Sequence, residues 1–379
     1  MTTTALERVK SVFRREQPSD RVPIFELIID PNTINGIMPG ATYEDLVEAL
    51  DIDCVVSPTP SRMYGKEIIG YNGDFPIFKT EWGETRETTR ECVAIPIDHP
   101  IKTHADWERY QIPDPEKPGR LDELKALVKR FKGKRAIGAN IHDSLNYPEY
   151  LFGLESLMMN LILEPDWVKE VIEACNKHTT RLAELVVEAG ADFVVLSDDF
   201  GGKSGPLMSV KHFVEFFLPG LEEVAHAAKQ KGANVAKHSD GNITSLLPYF
   251  IEAGIEAFHP SDPSAGMDIV KIKQEFGDRL AVFGGIDTGD PLSNWPVDQL
   301  VAEVRKRIRE LAPGGGWAIS SSNTVHSSVK PENYHALVMA TRTYGNYANL
   351  DNPINLDIEM SIGKIPIKNV DAVISPSPL

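Results

Sequence analysis

The sequence predicts a single closed (β/α)8 TIM barrel. Three observations carry that expectation. Eight short apolar runs punctuate the chain, amphipathic helical patterns lie between them, and no G-x-G-x-x-G turn follows the first run as it would in an open dinucleotide-binding sheet. Near-continuous apolar runs read as strands buried on both faces, hence parallel, and eight is the number that closes into a barrel.

In chain order the strands are expected at Val22–Leu27, Asp53–Ser57, Arg135–Ile141, Phe193–Ser197, Asn234–His238, Ala257–His259, Leu280–Gly284 and Trp317–Ser320. Between them, Leu300, Val301, Val304, Ile308 and Leu311 recur at three and four in Val297–Ala312, the stripe of a helix that buries one face. Ser209–Leu218 places Phe213, Phe216 and Phe217 on one side, while Pro165 and Pro331 stand where first-turn prolines belong. Residues 62–100 break the alternation. They are rich in Thr, aromatic and β-branched residues around an Asn72-Gly73 turn, which predicts a β-hairpin insertion after the second strand, covering the barrel mouth. Residues 348–379 are proline-punctuated without strong periodicity and read as an irregular C-terminal extension that wraps the barrel or mediates self-association, as in a homodimer. The whole of 1–379 is expected to form one domain, since such barrels routinely use over ~250 residues.

Charge and composition exclude several function classes. Against 39 basic residues stand 55 acidic ones, a formal charge of −16 that disfavours nucleic acid as a partner. The three cysteines, Cys54, Cys92 and Cys175, show no metal spacing and fit a reducing cytoplasm. The N-terminus lacks the apolar run of a signal peptide, and no stretch of about 18 apolar residues would span a membrane. There is neither a G-x-S-x-G elbow nor a Walker loop. Gly314-Gly315-Gly316 precedes the last strand and so reads as a turn at the end away from the chemistry, and Cys54 lies near its strand's start, which disfavours cysteine catalysis.

Barrel chemistry gathers at the carboxyl ends of the strands. Those ends carry Glu26, then His142 and Asp143, Asp198 and Asp199, His238 and Asp240, His259, Asp287, and finally Asn323 and His326. So many acids and imidazoles exceed what a packing core tolerates. Taken singly, several have plain structural readings. His238 is as readily a core histidine bonded to a carbonyl, Asp240 a cap, and Asp287 the brace of a turn. Asp198 and Asp199 point opposite ways, so at most one faces the pocket. His142 and His326 read as rim residues, and His226 as surface. Together, His238-x-Asp240 lets both side chains leave one strand end toward a point, a spacing that suits zinc.

Ser197–Ser209, His238-Ser-Asp-Gly-Asn242, Gly284-Gly-Ile-Asp-Thr288, Pro313-Gly-Gly-Gly-Trp317 and Pro331-Glu-Asn333, with the entry Pro18–Pro23, resemble the uroporphyrinogen decarboxylase superfamily over roughly Leu6 to Tyr347. The resemblance implies a (β/α)8 barrel and one of two chemistries. True decarboxylases share an Arg-Gln-Ala-Gly-Arg segment that grips substrate carboxylates. Here Ile28–Asn35 contains no arginine, so a tetrapyrrole finds no bidentate fork. The second chemistry moves methyl groups to or from a corrinoid protein. Methanogen enzymes of that kind that handle coenzyme M carry a zinc site of His-x-Cys plus a later Cys. The matching positions here are His238, Asp240 and Asn323, so both thiolates are replaced and a thiol substrate is disfavoured.

The resemblance thus implies an O-demethylase methyltransferase. It would carry a methyl group from a small donor, an aryl methyl ether, to the Co(I) of a corrinoid on a partner protein. His238 and Asp240 would hold a zinc ion with a third ligand from Glu26, Asp199 or His259. Alternatively Asp199 or Asp240 would protonate the departing oxygen. Glu26, His142, Asp287, Asn323 and His326 would contact substrate, while Tyr71, Phe75, Phe78 and Trp82 of the insertion would either cover an aromatic ring or pack the hairpin. The alternative is a lyase that decarboxylates a small carboxylic acid without any corrinoid. A non-catalytic binding barrel is the third reading, disfavoured by the many acids at the strand ends.

Overall fold

The computed structural model describes residues 3–60, 66–89 and 93–350. Its fold is mixed α/β and follows a (β/α)-barrel-like plan, but among the described residues the main sheet has seven strands where the sequence predicts eight. In chain order the strands are β1 (Cys54–Ser57), β2 (Glu67–Asn72), β3 (Phe75–Lys79), β4 (Thr85–Glu87), β5 (Ile95–Asp98), β6 (Ala136–Ile141) and β7 (Phe193–Leu196). There follow β8 (Gly201–Gly202), β9 (Gly205–Pro206), β10 (Asn234–His238), β11 (Ala257–His259), β12 (Ala281–Ile286) and β13 (Trp317–Ser321). Two compact units divide the described residues: those of 3–56, 131–136 and 257–350 form one, those of 57–130 and 137–256 the other.

In the first unit β11, β12 and β13 run side by side and parallel, with Ala257 opposite Ala281 and Val282 opposite Trp317. The missing eighth strand is Val22–Leu27. That segment is tied to β13, since Phe25 N–H donates to Ile319 O at 3.0 Å and Ile319 N–H to Pro23 O at 3.0 Å, yet it makes only an isolated bridge. Pro23 has no N–H to continue a ladder. The Ile24 N–H is also taken, donating at 2.8 Å to the Asp53 carboxylate. Asp53 is wholly buried and also accepts from Arg8 Nε at 2.9 Å and from Arg21 Nη1 at 2.7 Å. Truncating one member of a buried, hydrogen-bonded charge cluster strands the others without compensation. Asp53→Ala should therefore cost about 3–5 kcal/mol in urea unfolding; a loss under about 1 kcal/mol, the worth of a surface pair, would refute the pairing as a structural anchor.

The helix Val297–Leu311 buries Leu300, Val301, Val304, Ile308 and Leu311, as its stripe requires, and Pro331–Tyr344 begins on its proline. Gly314, Gly315 and Gly316 all adopt positive φ (81°, 76° and 67°). A Cβ on Gly315 would lie 2.2 Å from the carbonyl carbon of Glu16, so this glycine run is a turn packed against backbone.

In the second unit β6, β7 and β10 are neighbours and parallel, with Ala139 opposite Val194 and Val195 opposite Ala236. The stretch predicted as one hairpin is a four-stranded antiparallel sheet in the order β2-β3-β4-β5. Its first turn is the expected Asn72-Gly73, with Gly73 at φ 59°. Phe78 and Trp82 are buried, and Trp82 stacks on Tyr147 at 3.9 Å, whereas Tyr71 is exposed. The Ser209 segment starts as a helical turn at Val210–His212, widens to a π-turn at Phe213–Phe217, and continues as the helix Leu218–Gln230. The predicted extension 348–379 lies outside the described residues beyond Leu350, and residues 61–65 and 90–92 of the predicted insertion also lie outside them. Among the described residues no helix is long and apolar enough to cross a membrane.

Candidate functional site

The second unit places Asp199 just after β7 and His238-Ser239-Asp240 at the end of the neighbouring β10. His238 Nε2 lies 3.6 Å from Asp199 Oδ1 and 3.6 Å from Asp240 Oδ1. One ligand atom from each of these three residues falls within 4.8 Å of the others, and His238 is buried while Asp199 is exposed. Separations of 3.6 Å are too long for hydrogen bonds. They are close to the roughly 3.3 Å expected between donors of a tetrahedral zinc with bonds near 2.05 Å. An imidazole nitrogen with two carboxylate oxygens is also a donor set that zinc accepts.

The two loops are locked together by backbone. Asp240 N–H donates to Asp199 Oδ1 at 2.8 Å, Asn242 N–H to Gly202 O at 2.8 Å, and Phe200 N–H to Ser239 Oγ at 2.9 Å. A Cβ on Gly201 would meet Asp240 O at 2.4 Å, and one on Gly241, at φ 76°, would meet Gly201 C at 2.4 Å. The glycines after each acid are thus what lets the strand ends close on each other.

Beneath them lies a buried ionic network that the sequence reading did not assemble. Lys237 is fully buried in β10, with Nζ 2.7 Å from Asp143 Oδ2. Asp198 is equally buried and accepts from His142 Nδ1 at 2.9 Å and from the N–H groups of Leu145 and Asn146 at 2.8 and 2.9 Å. Asp198 therefore caps the helix Asn146–Phe152 and leaves Asp199 to face His238. His142 is buried, not a rim residue, with Nε2 2.8 Å from the Tyr150 hydroxyl; the Arg86 guanidinium lies 4.6 Å over the Tyr150 ring. Burial alone would raise the Asp198 carboxyl, but His142, Lys237 and the Asn146 N–H hold it below the usual range. Burial and the Asp198 charge push the Asp143 carboxyl up, against the pull of Lys237. A lysine inside an otherwise apolar strand (Asn-Val-Ala-Lys-His) was the available signal, because a buried ammonium demands a carboxylate.

The remaining candidates belong to the first unit. Glu26 is buried, with Oε1 accepting from Ser321 N–H at 3.1 Å. Ser321 Oγ stands 2.6 Å from both Glu26 Oε2 and Asn323 O. A hydroxyl has one hydrogen and a carbonyl cannot donate. That hydrogen serves only one of the two at a time; with the carboxyl protonated, it goes to Asn323 O and the carboxyl donates to Ser321 Oγ. Burial accounts for this protonation, pushing the Glu26 carboxyl to about 8. A carboxyl that keeps its proton is a donor, and a poor cation ligand. His259 is fully buried, with Nε2 3.2 Å from Ser320 Oγ. Neither Glu26 nor His259 belongs to the three-residue group of the second unit. Asp287 accepts from Gly289 N–H at 2.9 Å and Ser322 Oγ at 3.2 Å, bracing a turn. The ring Nδ1 of His326 accepts from Ser328 N–H at 3.3 Å, and Asn323 Oδ1 accepts from Thr324 N–H at 2.6 Å. The thiols of Cys54 and Cys175 are buried and pushed up by burial, which makes them inert.

Residues 5–344 match the family model for uroporphyrinogen decarboxylase (URO-D). The methylated-thiol–coenzyme M methyltransferase of Methanosarcina mazei is 25% identical over 227 residues, which are 59% of this chain and 57% of that protein. This match therefore spans little more than half of that relative's length. The uroporphyrinogen decarboxylase of Methylococcus capsulatus is 25% identical over 268 residues, 65% of this chain and 71% of that protein. Among solved structures, a methyltransferase from Methanosarcina mazei superposes with a TM-score of 0.69 at 19% identity, covering 90% of this chain and 99% of that one, a likeness of fold.

Proposed function

The chain belongs to the uroporphyrinogen decarboxylase family, and from that premise we propose that it is a methyltransferase acting on a small methyl donor, an aryl methyl ether, with the Co(I) of a corrinoid on a separate protein as the acceptor. The observation that carries this reading is the Asp199–His238–Asp240 group at adjacent parallel strand ends. The absence of any arginine in Ile28–Asn35, part of which forms the helix Pro31–Ile37, supports it against a tetrapyrrole substrate.

In the proposed reaction the methyl carbon bonds to cobalt through the cobalt electron pair. The C–O bond breaks, and the phenolate oxygen keeps the bonding pair. Bound by Asp199, His238 and Asp240, zinc would supply Lewis acidity toward the charge that develops on that oxygen. The protein's own contribution is preorganisation. Backbone bonds between the two loops fix Asp199 against Asp240, and the buried network below holds the strand ends that present them. Co(I) persists only under reducing conditions, so this reading fits a cytoplasmic enzyme.

Incubating the purified protein with zinc, reduced cobalamin and a panel of methoxyphenols is expected to yield methylcobalamin with at least one donor, read by its absorbance. Release of carbon dioxide from a small carboxylic acid without cobalamin, and no methylcobalamin from any donor, would replace this reading by the lyase that the decarboxylase relatives suggest.

A further inference from the structure

β7 and β10 are paired up to Leu196 opposite Lys237; beyond that register the ladder stops and the two chains diverge to present Asp199 and His238. Buried carbonyls at this point need donors, since one left unpaired is costly. Lys237 Nζ takes them, donating to Leu196 O at 3.3 Å, Asp198 O at 2.6 Å and His238 O at 2.8 Å. Asp143 Oδ2 at 2.7 Å shares the three hydrogens of the ammonium with these carbonyls and supplies the balancing charge. The rings of Phe200 and Phe250 lie 4.9 and 5.8 Å from the same nitrogen and close the site to water. Asp198 O belongs to the peptide that leads into Asp199, and His238 O to the peptide that leads toward Asp240.

Buried ion pairs are seldom a gain over apolar residues of the same volume, so this one calls for a role in specifying geometry. We propose that Lys237 is the positioning residue of the cation site, one ammonium that ties the last carbonyls of two strands and thereby sets the separation of Asp199 from His238 and Asp240. The proposal rests on reading those three residues as a cation site.

Zinc titration by calorimetry, with Co(II) absorption spectra at saturation, tests it on the full chain. Wild type is expected to take up one zinc and His238→Ala none. Lys237→Met is expected to bind ~10–100-fold more weakly, the range typical when a support behind a ligand is removed. Its saturated Co(II) spectrum should shift in position and intensity, which a change in stability alone would not produce. Because Lys237→Met strands the Asp143 charge, the double variant Lys237→Met/Asp143→Asn carries the test should the single one fail to fold by circular dichroism. One zinc in wild type, with affinity and spectrum unchanged in both variants, overturns the role of Lys237 and leaves the cation site standing. No zinc in wild type overturns the cation site and the proposal with it.

Discussion

His238→Ala is expected to remove the bound zinc and to lower methyl transfer at least ~100-fold, the loss that even an outer support of a metal can cause. His238 is the sole nitrogen donor of the group and stands between two carboxylates at 3.6 Å from each. Without it, Asp199 and Asp240 remain as two acids on abutting loops, a weaker oxygen-only donor set for zinc. The side chain is buried but small, so the fold should persist, with far-UV circular dichroism unchanged. Zinc content by atomic emission and initial rates with reduced cobalamin provide the readout. Full zinc occupancy together with wild-type rates in the variant would remove the cation site from the reaction.

The second large effect concerns Glu26 and appears in stability against pH. Burial keeps the proton on the folded carboxyl up to about 8, whereas in the unfolded chain it is lost near 4.5. Between those values the native state binds more protons than the unfolded state, so stability falls as pH rises. It is fully present below pH ~4.5, declines by about 1.4 kcal/mol per unit across the window, and is lost through pH ~8. The total is about 4–5 kcal/mol. Glu26→Gln cannot ionise, and its amide can donate to Ser321 Oγ much as the protonated carboxyl does. Urea unfolding of both proteins from pH 5 to pH 9 should show similar stabilities at pH 5 and an advantage of several kcal/mol for Glu26→Gln at pH 9. Parallel curves over that range would show that Glu26 is already ionised in the folded protein.

These two results bear on different units of the chain. The cation group is confined to the second unit and is built by two loops that close through Gly201 and Gly241. Glu26 belongs to the first, where Ser321 at the end of β13 takes both its oxygens. A neutral Glu26 acts by donating a hydrogen bond, so the acid expected among the metal ligands from its place in the sequence has a different chemistry in the fold.

Seven of the strand positions were legible in the sequence, because a strand covered on both faces must be apolar along its length and Val194, Ala236 and Val282 sit in such runs. His238-x-Asp240 was legible for a related reason, since polar residues after an apolar run mark a strand's exit from the core. Three things were decided only by tertiary structure. Val22–Leu27 failed as a strand because the Ile24 N–H is taken by the carboxylate of Asp53. Asp199 and Lys237 acquired their roles through the register of β7 against β10, which no local pattern encodes. The protonation of Glu26 depends on its burial in the fold, where the group that meets its oxygens, Ser321, comes from 295 residues away. Periodicity records whether a side chain is buried; which charges, donors and carbonyls meet is set by strand pairing across long stretches of chain, and that pairing decides the chemistry.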